Sequence, residues 1–461
     1  MNMKSIIRTL AFGGFMAAAL CAGAQNTNSG YFLDGYTYRY QMNPAFGCDK
    51  GFISMPALGN LNVAVRGNLH LSSVIYDLNG KTVLFTNPGI GVSEALDKFH
   101  DKNRIGSNVK VNVLSAGFKA FGGFNTVSIN ARANVNAIVP KSFFELAKEG
   151  VSNRAYSIRD LRAQATGYAE IALNHSRDIR QVPGLRVGAA VKVLLGMANL
   201  DAYFNEADLT LGTDSWTART NADIYANFGK LQYEHKVNKQ GREYVSGVNM
   251  DGDGSIGPNG FGMAFDLGAS YNWNKDFTFS LALLDLGWIS FSDTKYASTD
   301  GTQTVNTDAY TFNADDDATN SFSSEWKRLR DDLGNLYQLN DKGNIGSRTV
   351  GLGATLNVGV DYALPVYRKL HFGFLSSTRF QGKYTWTEAR LSANVAPVKC
   401  FSADVNVAAG TYGASMGWVL SFHHTGFNLF LGMDHMLGKL AKQGVPLSSN
   451  ASVNFGMNFP F

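Results

Sequence analysis

Ala451-Ser452-Val453-Asn454-Phe455-Gly456-Met457-Asn458-Phe459-Pro460-Phe461 closes the chain, and its alternate positions Ala451, Val453, Phe455, Met457, Phe459 and Phe461 are all apolar. Ser452, Asn454, Gly456 and Asn458 between them are small or polar. Successive side chains of a strand point to opposite faces, so one face of this segment suits lipid and the other a wet interior. The segment reads as a membrane-facing β-strand running to the carboxyl terminus.

At the other end, Lys4 and Arg8 precede an uncharged stretch from Thr9 to Leu20, and Ala22-Gly23-Ala24 supplies the small residues a signal peptidase reads. Residues 1–24 are expected to be a signal peptide cleaved after Ala24. Cys21 admits a lipoprotein alternative, but that processing wants a small residue before the cysteine, where Leu20 stands. Phe461, with Phe459 two residues earlier, resembles the signal by which bacterial outer-membrane barrels are recognised, which implies the barrel assembly machinery as a partner.

Only 17% of the 461 residues are charged and 49 are glycine, against about 25% charged and about 7% glycine in soluble domains. That balance suits a lipid-exposed barrel, although a large soluble β-protein can share it. No run of about 18 apolar residues follows Ala24, which excludes a conventional membrane-spanning helix, so a membrane-embedded form must be a closed barrel. The formal net charge is +4, or +2 without Lys4 and Arg8, and gives no reason to invoke nucleic acid. Cys48 and Cys400 remain after cleavage, in a compartment where disulfides persist, and either pair or stay free.

Alternation recurs after about residue 60. Trp216, Ala218, Ala222, Ile224, Ala226 and Phe228 are expected to face lipid, opposite Thr217, Arg219, Asn221, Asp223, Tyr225 and Asn227 in the lumen. Val127, Ile129, Ala131, Ala133, Val135 and Ala137 repeat the pattern opposite Ser128, Asn130, Arg132, Asn134 and Asn136. Sixteen candidate strands result, at 62–71, 108–120, 124–138, 162–174, 185–196, 202–211, 216–228, 261–273, 277–291, 350–362, 370–380, 385–395, 400–410, 415–423, 426–434 and 450–461. The pieces at 62–71 and 202–211 alternate least, so the expectation is an all-β, antiparallel transmembrane barrel of 14 strands, with 16 as the upper limit.

The long connections near 72–107, 139–161, 229–260 and 292–349 each follow an odd-numbered candidate. With both termini in the periplasm they all emerge outside, where long loops belong. Short helices are expected in them. Pro140 with Ser142 three residues before Glu145 reads as a capped helix, Trp326, Leu329, Leu333 and Leu336 recur at helical spacing within Ser324 to Leu336, and Gly91 to His100 is a third candidate.

Residues 25–60 do not alternate and carry Tyr31, Phe32, Tyr36, Tyr38, Tyr40, Phe46 and Phe52, so they are expected to bury themselves in the lumen as a plug ahead of the barrel at 61–461. There Met42-Asn43-Pro44-Ala45 resembles the NPA motif in the hatch of the FadL-like fatty-acid transporters, a superfamily that includes hydrocarbon channels and a secretion-associated barrel. GFGMAFDLGASYNW (260–273) and LALLDLGWISF (281–291) are similar to an uncharacterised family of outer-membrane barrels. The FadL resemblance implies a fourteen-stranded barrel and a luminal turn at Asn43, Pro44 and Ala45. It further implies passage of hydrophobic small molecules, released through the barrel wall. An ordinary Asn-Pro turn is the plain alternative. Tyr36, Tyr38 and Tyr40, at period two, are expected to line one side of an apolar pocket.

Asn249, Asp251, Asp253 and Ser255 fall at positions of an EF-hand-type loop, with Gly254 at its sixth position, but Gly260 stands where the bidentate glutamate belongs. A weak calcium site and a solvated Asp-Gly turn are the two readings, and no other cofactor is expected. Gly413-Ala414-Ser415-Met416-Gly417 matches a nucleophile elbow by letter, near His423 and His424, yet the following alternation is that of a strand where the elbow needs a helix. No enzymatic activity is expected. The sequence therefore points to an integral outer-membrane barrel that passes or binds small hydrophobic molecules, or serves as a scaffold or anchor for a surface or secretion protein.

Overall fold

A computed structural model describes residues 28–149, 154–211, 215–228, 232–237, 243–249, 258–306, 339–436 and 450–461. The chain is all-β, and fourteen antiparallel staves close a barrel. They are β1 Leu61–Gly67, β2 Lys102–Ala120, β3 Gly123–Pro140, β4 Arg154–Asp178, β5 Leu185–Leu211, β6 Gly260–Asn272, β7 Phe277–Phe291, β8 Ala354–Ala363, β9 Leu370–Phe380, β10 Trp386–Val398, β11 Phe401–Gly410, β12 Gly413–His423, β13 Asn428–Met433 and β14 Ala451–Pro460. The final stave, read from the terminal alternation, pairs with β13 and closes the barrel on β1, where Leu61 faces Phe455 and Val65 faces Ala451. The strand Phe52–Ser54 fills the same seam lower down, pairing with β14 on one side and β2 on the other.

Two of the sixteen expected strands are not separate staves. Segment 202–211 is the upper part of β5, which runs unbroken for 27 residues, and β4 beside it runs for 25, against the about 9–11 that a tilted strand needs to cross a bilayer. The strand Ser215–Phe228 stacks end to end above β6: Leu185–Gly196 of β5 pairs with β6, whereas Ala198–Leu211 pairs with Ser215–Phe228. Alternation reports a pleat and not a crossing, so it cannot separate a stave from its extension.

The same extension corrects one face assignment. The polar set Thr217, Arg219, Asn221, Asp223, Tyr225 and Asn227 shares a face with Asp201 and Tyr203, since Asp223 pairs with Tyr203 and Tyr225 with Asp201. The opposite face, expected in lipid, is covered: Ala218 packs near Phe143 and Leu146 of the helix Lys141–Glu149, and Ala226 against Tyr233 and Val245 of the hairpin Gln232–Asn249. Lower down, the expected pattern stands. Val127 faces Leu173 and Ile129 faces Ile171 across β3 and β4, all four exposed on the outer wall, while Asn130 and Glu170 face the lumen and are buried.

Short turns, such as those at Phe121-Gly122, Asn274-Lys275 and Lys399-Cys400, join the staves at one end, and the long connections leave from the other. Three short helices lie in long connections, Leu71–Val74, Val92–Leu96 and Lys141–Glu149. The last two fall at expected positions; the helix expected at Ser324 to Leu336 and the signal peptide lie outside the described residues.

Candidate functional site

The amino-terminal segment fills the short-turn half of the lumen. Tyr31, Leu33, Tyr36, Tyr38, Tyr40, Met42, Phe46 and Phe52 form one buried cluster with Phe124, Leu375, Val419 and Phe430 of the wall. Tyr36, Tyr38 and Tyr40, expected along one side of an apolar pocket, are packed inside this cluster. Tyr36 caps the short 3-10 helix Thr37–Gln41, which carries the other two, and rings lie edge to face or tilted at 4.8–6.2 Å across Tyr36, Tyr38, Phe52 and Phe430. Period two suggested an extended segment, but aromatic packing on all sides selects the tighter coil. Burial raises the pKa of the Tyr31, Tyr38 and Tyr40 phenols, so these stay neutral inside the plug.

Asn43, Pro44 and Ala45 make a turn pressed against the wall. The Asn43 side chain accepts the Ala45 N–H at 3.0 Å, and its Nδ2 donates to the carbonyls of Ala269 (β6) and Leu281 (β7) at 3.2 and 3.4 Å and to Tyr31 Oη at 3.3 Å. Asn174 (β4) donates to the Pro44 carbonyl and Asn357 (β8) to that of Met42. The wall makes room with two glycines that face each other, Gly188 and Gly268. A Cβ on Gly188 would stand 2.2 Å from the Pro44 carbonyl oxygen, and one on Gly268 2.1 Å from Asn43 Oδ1.

Above this junction, toward the long-loop end, a layer of ion pairs spans the lumen. Arg132 (β3) grips Asp285 (β7) with both Nη atoms at 2.7 and 2.8 Å and donates to Glu170 (β4) at 2.8 Å. Lys192 (β5) lies 2.6 Å from Asp266 (β6) and 2.7 Å from Asp285, and Arg379 (β9) 3.8 Å from Asp285. Asp285 is aimed inward by a bulge: Phe265 pairs with Leu286 and Leu267 with Leu283, leaving Asp266 opposite two residues, and Asp285 takes a left-handed φ of 57°. Its N–H then donates to Asp266 Oδ1 at 2.7 Å. On the long-loop side of this layer, Tyr168, Ile289, Val350, Leu352, Arg379 and Gln381 border a small, partly open cleft.

The model for DUF5723, a family of unknown function, matches residues 44–434. The chain belongs to that family. No curated protein matches it. Among solved structures the DUF5723 chain is similar to a deletion mutant of TodX, described as a monoaromatic hydrocarbon channel, at 8% identity over 96% of this chain and 98% of that one, with a TM-score of 0.46. It is also similar to the toluene transporter TbuX of Ralstonia pickettii, at 9% identity, 93% and 99% coverage and TM-score 0.40. A Pseudomonas aeruginosa FadL homologue matches at 10% identity, 95% and 97% coverage and TM-score 0.37.

Other sequence candidates of this DUF5723 barrel fall elsewhere. Ser415 and His423 stand near opposite ends of β12, about 26 Å apart at the rise of a strand, so they do not meet; His423 contacts Ser402 instead. Asn249 ends the strand Glu243–Asn249, and Asp251, Asp253 and Ser255 lie outside the described residues. Cys48 and Cys400 are free thiols. Phe461 is exposed beside the seam, where its N–H donates to the Gly51 carbonyl. The ionic layer was missed in sequence, although Asp285 inside Leu283-Leu284-Asp285-Leu286 breaks strict alternation and marks the bulge.

Proposed function

We propose that this outer-membrane barrel takes up small, largely apolar molecules at its long-loop end and holds them above the ionic layer. The observation that carries the reading is a small, partly open cleft bordered by Ile289, Val350 and Leu352 together with Tyr168, Arg379 and Gln381. A few polar groups on an apolar wall suit orientation of a small ligand. Onward passage requires movement of the turn at Asn43 and Pro44, because the plug and the ion pairs fill the lumen below. In this reading both termini are periplasmic, and Phe459 and Phe461 present the closing strand to the assembly machinery; deletion of Phe461 is then expected to lower the amount of folded barrel in the outer membrane.

A second reading, a scaffold or anchor for a surface or secretion protein, is favoured by the ion pairs that cross-link the lumen and by the tall rim of β4 and β5. Uptake of a hydrophobic fluorescent probe separates the two. Leu352→Asp is expected to weaken probe binding about tenfold in a normally inserted barrel, and Asn43→Ala with Pro44→Ala to alter probe entry. Unchanged uptake in both variants, with loss of a co-purifying protein from the second, would make the barrel a scaffold.

A further inference from the structure

The plug's amino-terminal end is held by Asp434, whose carboxylate accepts the N–H groups of Asn28 and Ser29 and the Ser29 hydroxyl at 2.9, 2.7 and 2.6 Å. Beside that anchor lies a second group of buried ionisable side chains, separate from the layer around Asp285. Arg66 (β1), Arg390 (β10) and His435 are 6%, 2% and 3% exposed. Arg390 is engaged, donating to Glu388 at 2.7 Å and to Ser29 Oγ and the Asp434 carbonyl at 3.2 Å. Arg66 and His435 are not. All three guanidinium nitrogens of Arg66 and both ring nitrogens of His435 lack a hydrogen-bond partner.

Their surroundings offer little to accept from them. Arg66 lies over the Trp386 ring at 4.4 Å and reaches only to 3.9 Å from Asp434, whose oxygens the plug already occupies. His435 Nε2 is 3.6 Å from Glu388 Oε2, outside hydrogen-bond range. Beyond Arg390, Asp404 has one oxygen without a partner, and at the anchor Asn28 Nδ2 is a further unpartnered donor. The buried guanidinium of Arg66 thus presents donors on all three nitrogens that no oxygen accepts, and a buried donor without an acceptor is costly. A water molecule brings donors of its own and leaves the excess in place. An acceptor-only species removes it.

We propose that a small inorganic anion of the halide class binds between Arg66 and His435, accepting from the guanidinium and the imidazole next to the plug's anchor. The guanidinium fork supplies two parallel donors, and the Trp386 face below it keeps the group in place. Bromide is the probe. In crystals of the mature barrel equilibrated with bromide, an anomalous peak within hydrogen-bond distance of Arg66 is expected, and it should vanish in Arg66→Met. In detergent, bromide should raise the thermal midpoint of the wild type above that in gluconate of equal ionic strength, with the difference lost in Arg66→Met. If that variant fails to insert, His435→Phe takes its place in both arms. Water without anomalous signal at Arg66, or an equal bromide shift in wild type and variant, would overturn the assignment.

Discussion

Asn43 joins plug to wall through main-chain carbonyls on β6 and β7, so the contact depends on close approach and not on any wall side chain. That approach exists because positions 188 and 268 carry no Cβ. Gly268→Val should push Asn43 out of its seat and leave a buried amide short of partners, a cost of about 1–3 kcal/mol. Limited proteolysis of the inserted barrel is the check, with cleavage in residues 28–50 expected to rise at least severalfold while the staves stay protected. Cys48 tests the plug from its other end. It is half-buried, and burial pushes its thiol up to about 12, whereas Cys400 is exposed on a turn. A pKa raised on folding stabilises the fold fully below the unfolded thiol value, about 8.5, and that contribution is lost as pH climbs toward 12. A maleimide at pH 7–9 should therefore label Cys400 quickly and Cys48 slowly, and both at similar rates once the barrel is unfolded.

The staves were legible because lipid on one side and a polar lumen on the other impose period two, and the closing strand shows it from Ala451 to the last residue. Stave number was less legible: Ser215–Phe228 alternates as well as any crossing strand but stands above β6, its outer face under the helix Lys141–Glu149 and the hairpin Gln232–Asn249. The two kinds of element should respond differently to charge. Ile129→Arg, on the exposed wall of β3, should cost about 2–4 kcal/mol and impair insertion, as an arginine at barrel midplane does. Ile224→Arg, in the extension, should insert nearly normally. Heat-modifiable mobility in gels reads both, and equal impairment would mean that the extension lies in the bilayer after all.

Across the whole molecule, the lumen holds an aromatic plug on the short-turn side and the Arg132, Glu170, Lys192, Asp266 and Asp285 layer above it. The plug's place followed from seven aromatics with no alternation; the layer did not, because its partners lie 38 to 153 residues apart in sequence and come together only across paired staves and the lumen. Asp285→Ala leaves two buried cations short of their shared partner. Such a break costs about 3–5 kcal/mol, so the denaturant midpoint for loss of the folded gel form should fall well below that of the wild type. Asp285→Leu with Arg132→Met and Lys192→Met should recover much of it, since a buried ionic group replaced as a unit by apolar side chains is often near neutral.

The strand Phe52–Ser54 belongs at once to the plug's tail and to the seam between β14 and β2. The aromatic segment before it is therefore leashed at one end to the joint that completes the cylinder. It cannot depart without unzipping the lower part of the joint. An exchange of plugs between neighbouring molecules would therefore require the cylinder itself to open at that joint.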